Sequence, residues 1–199
     1  LAGERHALAA EVLDGRLDAA IHSAKDMPCP EAPGTDWMWL PWREDSRDVV
    51  VLPVGKSLAE LPAAPRIGVS SDRREAWCRR RFPQGQQKSI RGTIERRLEQ
   101  LDAGEFDLLI MAAAALNRLG LSNRISEFIP AGDLEVPEGQ GVLGLTFRAG
   151  DPRFLRIRSL FVKSVVFAGA GIGRQSASLA VAAALRRCDV CLYDALLDE

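Results

Sequence analysis

Ser23, Lys25 and Asp26 place a hydroxyl, an ammonium and a carboxylate together in the stretch His22-Ser23-Ala24-Lys25-Asp26-Met27-Pro28. The ammonium can hold an anionic ligand, and a fixed carboxylate stabilises developing positive charge better than mobile water does. The same residues also read as a solvated loop, and the segment alone leaves both readings open. A second group gathers around Ser70-Ser71, followed at once by Arg73 and Arg74, with Arg91 and Arg97 further on. Ser71 suits the N-cap of a helix, with Glu75 close enough to support the first turn. A helix start of this kind turns backbone N–H groups and hydroxyls toward an anion, with the dipole behind them. Arg73 and Arg74 oppose that dipole, so helix stability does not explain them, whereas a bound anion would. Guanidinium forks grip carboxylates bidentately, so four arginines on one rim imply a ligand with several carboxylates. Surface arginines kept for solubility are the alternative.

Apolar spacing supplies the elements that would position these groups. Leu8, Ala9, Val12 and Leu13 form a helical stripe over residues 5–13, closed by Asp14-Gly15. Leu17 to Ile21 reads as a strand ending at His22, so the Ser23–Asp26 group falls at a strand tip, where open α/β sheets present ligands. Cys29 to Gly34 is proline-rich loop, Trp37 to Trp42 a short strand, and Arg43 to Asp48 a charged crossover leading to the strand Val49 to Val54. A short helical turn over Leu58 to Pro65 precedes the strand Arg66-Ile67-Gly68-Val69 and a helix from Asp72 to about Phe82. Ile94, Leu98 and Leu101 line one face of the next helix, which ends at Ala103-Gly104. A buried strand from Asp107 to Met111, a helix from Ala112 to Leu119, a loop over Pro130 to Glu138 and a strand from Val142 to Phe147 follow. Residues 151–158 read as a polar junction. The alternation of strands and helices predicts an α/β fold with a mostly parallel sheet.

Composition excludes several function classes. The 199 residues carry 26 basic and 27 acidic side chains for a net charge of -1, so neither nucleic acid nor an acidic membrane is implied as a partner. The longest apolar run, Leu108 to Leu116, is too short to span a bilayer. Cys29, Cys78, Cys188 and Cys191 form no disulfide framework, and a cytoplasmic location is expected. Cys188 and Cys191 have metal-like spacing but no second pair and no nearby histidine, so they read as core and no metal site is expected. Leu1 and Glu199 both read as cuts through a longer protein.

From Val165 the pattern restarts. A strand runs into Gly169-Ala170-Gly171-Ile172-Gly173, followed by a helix from about Ser176 to Arg187 and a strand from Val190 to Tyr193. Gly169, Gly171 and Gly173 do not reproduce the dinucleotide fingerprint and indicate only a close backbone approach.

From Glu11 to Arg148 the chain resembles the porphobilinogen deaminase (hydroxymethylbilane synthase) family. The resemblance is carried by Leu13-Asp14-Gly15-Arg16-Leu17-Asp18, His22–Pro28, Arg43-Glu44-Asp45-Ser46-Arg47-Asp48 and Gly68-Val69-Ser70-Ser71-Asp72-Arg73-Arg74. Ile90-Arg91-Gly92, Arg97–Asp102, Gly104-Glu105-Phe106-Asp107, Leu116–Leu121 and Gly139-Gln140-Gly141 follow in the family's order. The resemblance implies an enzyme joining four porphobilinogen units head to tail with loss of ammonia. The product grows as a linear polypyrrole on a dipyrromethane cofactor bound to a cysteine. It implies Asp26 as the catalytic carboxylate, hydrogen-bonding pyrrole N–H groups and stabilising the azafulvene cation. Ser23, Lys25, Ser70, Ser71, Arg73, Arg74, Arg91 and Arg97 would hold pyrrole carboxylates. The implied architecture is the incomplete two-domain core of a periplasmic-binding-protein-like deaminase, acting as a monomer. Residues 1–44 and 135–150 would form part of domain 1, residues 45–134 domain 2, and 151–163 a junction.

The chain departs from the family in several places. The third domain with its cofactor cysteine and the opening strand of domain 1 are not in this sequence. Val69 stands where threonine is usual, Asp72 where an apolar residue is usual, and Thr93 where asparagine is usual. Residues 164–199 resemble the start of a uroporphyrinogen-III C-methyltransferase, which implies S-adenosylmethionine at Gly169, Gly171 and Gly173. Ile172 and Arg174 replace the proline and aspartate of that loop. The expected function is therefore a deaminase module fused to a methyltransferase start, binding pyrrole carboxylates weakly and not turning over by itself. The alternative is a non-catalytic carboxylate-binding module of the periplasmic-binding-protein type. Asp26 separates the two, because a pure anion binder gains nothing from a carboxylate in its site.

Overall fold

A computed structural model describes residues 2–27 and 32–161. The chain divides into two compact units, Leu1–Arg158 and Ser159–Glu199. The expectations for Cys29, for the glycine loop at Gly169, Gly171 and Gly173, and for Cys188 and Cys191 lie outside the described residues.

Helix α1 (Ala2–Leu13) buries Val12 completely and ends as its sequence predicts, with Gly15 at φ +76°. The backbone N–H groups of Arg16 and Leu17 both donate to Glu11 O, at 3.0 and 3.1 Å. That wrap keeps Leu17 out of the following strand, so β1 runs over Ala19–Ser23, two residues later than the apolar run suggests. A single 3-10 turn, Ala24–Asp26, follows. Strand β2 (Thr35–Arg43) leads through residues 44–47 into β3 (Asp48–Val51). Pro53, which lacks an N–H, and a turn through Gly55 at φ +79° stop β3 short of Val54.

The order continues with β4 (Arg66–Val69), α2 (Asp72–Arg81), β5 (Gln86–Ser89), α3 (Ile94–Asp102), β6 (Leu108–Ala112), α4 (Ala113–Arg118), β7 (Glu127–Phe128) and β8 (Val142–Arg148). The polar junction after Asp151 is formed by helix α5 (Pro152–Phe161). Asp151 caps it, accepting from Arg153 N at 3.0 Å, and proline takes the first helical position, where its missing N–H costs nothing.

The described strands form two sheets. β1, β8 and β2 make an antiparallel sheet in that order, with Ile21 opposite Leu145 and Met38 opposite the same residue on the other side. The second sheet has the order β5-β4-β6-β3-β7. Within it β4 is parallel to β5 and β6, whereas β3 is antiparallel to β6 and β7. The expected mostly parallel sheet therefore holds only for β5-β4-β6. β3 is reversed, and its connection to β4 in the same sheet carries only a 3-10 turn, Leu58–Glu60, and no crossover helix.

β3 and β6 are buried along their whole lengths. Val49, Val51, Leu109 and Met111 pack on one face with Leu98, Leu101 and Leu116. Val50, Leu52, Ile67, Val69 and Ile110 pack on the other with Trp77 and Ile129. Each fully buried side chain of this size contributes about 1.5–3 kcal/mol of transfer free energy. The sheet that carries the Ser70–Arg74 turn is thus the firmly packed one.

Candidate functional site

The turn after β1 is held in place by a glycine-flanked glutamine from the far end of the chain. Gly139 takes φ +72°, and a Cβ there would stand 2.8 Å from Lys25 N and 2.9 Å from Ala24 C. Gly141 takes φ +85°, and a Cβ there would stand 2.3 Å from Glu44 O. Only glycine permits both approaches. Between them Gln140 is fully buried. Its Oε1 accepts from Lys25 Nζ at 2.8 Å, while its Nε2 donates to Ser46 O at 2.6 Å and to Asp48 Oδ1 at 3.3 Å.

Asp48, 1% exposed, is the second junction. Its Oδ1 accepts from Arg74 Nε at 3.1 Å and from Arg74 Nη2 at 2.6 Å. Arg74 is itself buried and donates through Nη1 to Ser70 Oγ at 3.0 Å. Arg73 Nη2 lies 2.6 Å from Asp48 Oδ2. That oxygen is buried and receives no hydrogen bond of acceptable angle, so the Arg73 contact is ionic only. Arg73 also donates through Nη1 to Glu135 O at 2.5 Å. The sequence suggested a bound anion as the reason for two arginines at the start of α2. In the structure their anion is the chain's own Asp48 carboxylate.

The remaining predicted residues close the rim. Ser71 caps α2, its Oγ accepting from Arg74 N at 3.4 Å. Thr93 caps α3 in the same way, accepting from Arg96 N at 3.3 Å, so this departure from the family's asparagine keeps the cap. Arg91 donates through Nη1 to Ser70 O at 3.4 Å, and Arg97 through Nε to Gly92 O at 3.0 Å. Ser23 sits at the end of β1 as the N-cap residue of the following turn, without a side-chain cap bond. Ser70, Ser71, Asp72, Glu75, Lys88 and Arg91 line a cavity of about 150 Å³.

Electrostatics tie the turn after β1 to this rim. Burial, then the Arg74 charge, pushes the Lys25 ammonium down to about 8, with Asp26 and Asp48 opposing the shift. Burial also lowers the Arg97 guanidinium, helped by Arg74 and Arg91 and opposed by Asp26. Lys25, Asp26, Arg73, Arg74, Arg91 and Arg97 therefore share one field, in which the Asp26 carboxylate is exposed.

Sequence reasoning passed over Asp48 and Gln140. Asp48 closes a charge run that reads as solvated crossover. The signal for Gln140 was its pair of flanking glycines. Glu44 and Arg118 were also missed. Glu44 N and Arg118 Nη2 both donate to Gly141 O, at 2.9 and 2.6 Å, and Asn117 Nδ2 donates to Glu44 Oε1 at 2.9 Å. Among the described residues no group of histidine, cysteine and acidic side chains could hold a metal ion, and no helix is long and apolar enough to cross a membrane.

Fold and site together define a mixed α/β protein in which two sheets meet at a corner rich in cationic side chains. The chain belongs to the porphobilinogen deaminase family: residues 5–156 match the family model described as porphobilinogen deaminase, dipyromethane cofactor binding domain. It is 43% identical over 145 residues to the porphobilinogen deaminase of Syntrophotalea carbinolica, covering 72% of this chain and 46% of that protein. It is 48% identical over 139 residues to that of Chromobacterium violaceum, covering 69% and 45%. The chain thus spans about half the length of the curated relatives it matches. Among solved structures it is similar to the substrate binding protein of an amino acid ABC transporter, with a TM-score of 0.41, 17% identity, and coverage of 77% of this chain and 67% of that one. It is also similar to the periplasmic VFT2 domain of Bordetella pertussis BvgS, with a TM-score of 0.44, 15% identity, and coverage of 80% and 67%.

Proposed function

We propose that the chain supplies the pyrrole-binding and acid–base part of a hydroxymethylbilane synthase, which condenses four porphobilinogen units head to tail with loss of ammonia. The observation that carries this reading is the exposed Asp26 carboxylate standing in a field otherwise set by Lys25, Arg74, Arg91 and Arg97. A module that only captured carboxylates would have no use for it. Asp26 accepts hydrogen bonds from pyrrole N–H groups and stabilises the positive charge that develops as ammonia leaves. A carboxylate fixed on a short turn does this at little reorganisation cost.

The donor set around Ser70 fits the dipyrromethane group that the family holds. Two hydroxyls, Arg91, Arg97 and Lys25 present donors for acetate and propionate oxygens. That group, when bound, supplies the primer on which the pyrrole chain is extended. Arg74 acts behind these residues, since Asp48 and Ser70 take up its donors. Arg73 contacts Asp48 through Nη2 and Glu135 O through Nη1, so a ligand would share it with these partners.

The grouping of β1, β2 and β8 in one sheet and β3–β7 in the other supports a division into 1–44 with 135–150, and 45–134. Residues 151–163 are then a junction and 164–199 the start of a tetrapyrrole methylase domain with S-adenosylmethionine at Gly169, Gly171 and Gly173.

Asp26→Asn tests the assignment in a full-length deaminase carrying this segment. Turnover of porphobilinogen to linear tetrapyrrole should fall by at least about a hundredfold, as for loss of a positioned acid–base group, with the far-UV spectrum unchanged. Turnover near the parent level would remove Asp26 from the mechanism.

A further inference from the structure

We propose that Gln140 is a positioning residue, whose buried amide sets the Lys25 ammonium, and with it the Asp26 turn, against the Ser70–Arg74 corner. The proposal rests on the reading of Lys25 and Asp26 as site residues.

The orientation of the Gln140 amide is decided by chemistry. Both Nε2 hydrogens are used, toward Ser46 O and Asp48 Oδ1, which leaves Oε1 for Lys25. A flipped amide would set its NH₂ group against an ammonium and its oxygen against a carbonyl and a carboxylate, losing every contact. The backbone is equally constrained, since Gly139 packs on Ala24 and Lys25, and Gly141 on Glu44. The result is one continuous polar chain: Lys25, Gln140, Asp48, Arg74, Ser70. It begins in the turn after β1 and ends at the start of α2, the two places where candidate ligand-binding groups lie.

No other residue type serves here. Glutamate has the length but no donors, and it would bring a second carboxylate beside Asp48. Asparagine is one methylene too short to span from the 139–141 backbone to Lys25 and Asp48 together. Leucine fills the space and leaves the Lys25 ammonium, Ser46 O and Asp48 each short of a partner. The charged groups that act on Lys25 are Arg74, Asp26, Asp48 and Arg73, so Gln140 is the neutral member that fixes its place among them.

The test uses the 199-residue chain with carbon-13 lysine. Lys25, Lys56, Lys88 and Lys163 are its lysines, and Lys25→Arg assigns the signal of interest. In the parent, the Lys25 ε-carbon should titrate near 8. In Gln140→Leu the midpoint should fall by about one pH unit, because a bond to the charged form is gone, and in Gln140→Glu it should rise. Porphobilinogen binding, followed by calorimetry, should weaken about tenfold in Gln140→Leu. That loss is comparable to one charge-assisted hydrogen bond. Midpoints that stay put in both variants would overturn the proposal. Midpoints that move while porphobilinogen binds as tightly as to the parent would overturn it too. If the parent binds no porphobilinogen and the midpoints still move, Gln140 positions Lys25 and the reading of the site as a pyrrole site fails instead. Should Gln140→Leu not fold, Gln140→Asn provides the same two readouts.

Discussion

The five-stranded sheet is sandwiched between two apolar clusters, so β3 and β6 meet no water on either face. The three-stranded sheet buries Met38 and Phe147 but leaves Ile21 64% exposed and Trp37 38% exposed. The candidate site is split across this difference. Ser70, Ser71, Arg73, Arg74, Arg91 and Arg97 stand on loops and helix starts of the well-packed sheet, while Ser23, Lys25 and Asp26 stand on the thin one. The residues proposed to recognise carboxylates thus stand on the firm scaffold. The residue assigned to the chemistry depends for its placement on the polar chain through Gln140 and Asp48.

The comparison can be broken most directly at Asp48, where the two halves are joined. Asp48→Ala leaves the buried Arg74 charge without its partner and should cost about 3–5 kcal/mol in urea unfolding. A loss below about 1 kcal/mol would mean that Arg74 turns out to solvent and the junction is not structural. Next comes a pair of core truncations. Leu109→Ala should cost about 3–4 kcal/mol and Met38→Ala about 2 kcal/mol, because the thinner sheet can collapse onto the smaller side chain. Equal losses in the two variants would erase the contrast between the sheets.

A smaller effect is expected at Val69, 4% exposed on the firm side. Val69→Thr restores the hydroxyl common in the family and should destabilise the free chain by about 1 kcal/mol, since the site buries it without a ready partner. Recovery of that loss when porphobilinogen is added to the melt would place the new hydroxyl in the ligand's reach. A pH trend tests the thin side. Burial holds Lys25 near 8 in the fold against 10.5 in the open chain. Between those values the unfolded chain binds more protons, so the cost of the charged lysine is fully present below about pH 8 and is relieved as pH rises toward 10.5. The stability difference between Lys25→Met and the parent should therefore shift in the parent's favour over that window in thermal melts. A difference flat in pH would show Lys25 to be fully solvated.

What could be read from the sequence was local. Ser71 announces its helix because a cap and the N–H it satisfies lie three residues apart, and Gly15 announces the end of α1 for the same reason. β6 is legible because five apolar residues in a row can only be buried. β5, Gln86–Ser89, escaped because an edge strand with solvent on its outer side needs no apolar pattern. α5 escaped because Arg153, Arg156 and Arg158 mask its apolar stripe, although Asp151-Pro152 marked its start. The roles of Asp48 and Gln140 were out of reach for a different reason. A buried polar residue is explained only by its partners, and theirs lie on segments far along the chain.

The order of strands in the smaller sheet also governs how the molecule can assemble. β8 lies between β1 and β2, which share no hydrogen bonds, and it pairs Leu143 with Ser23 and Thr146 with Trp37. Among the described strands, β8 is the neighbour of both, and it is made only after the chain has run through the whole five-stranded sheet. On a ribosome, residues 48–134 can therefore fold before β8 is made to join β1 and β2. The Lys25–Asp26 turn is made early and positioned last, when residues 139–148 close a long loop whose entropy the finished sheet has already reduced.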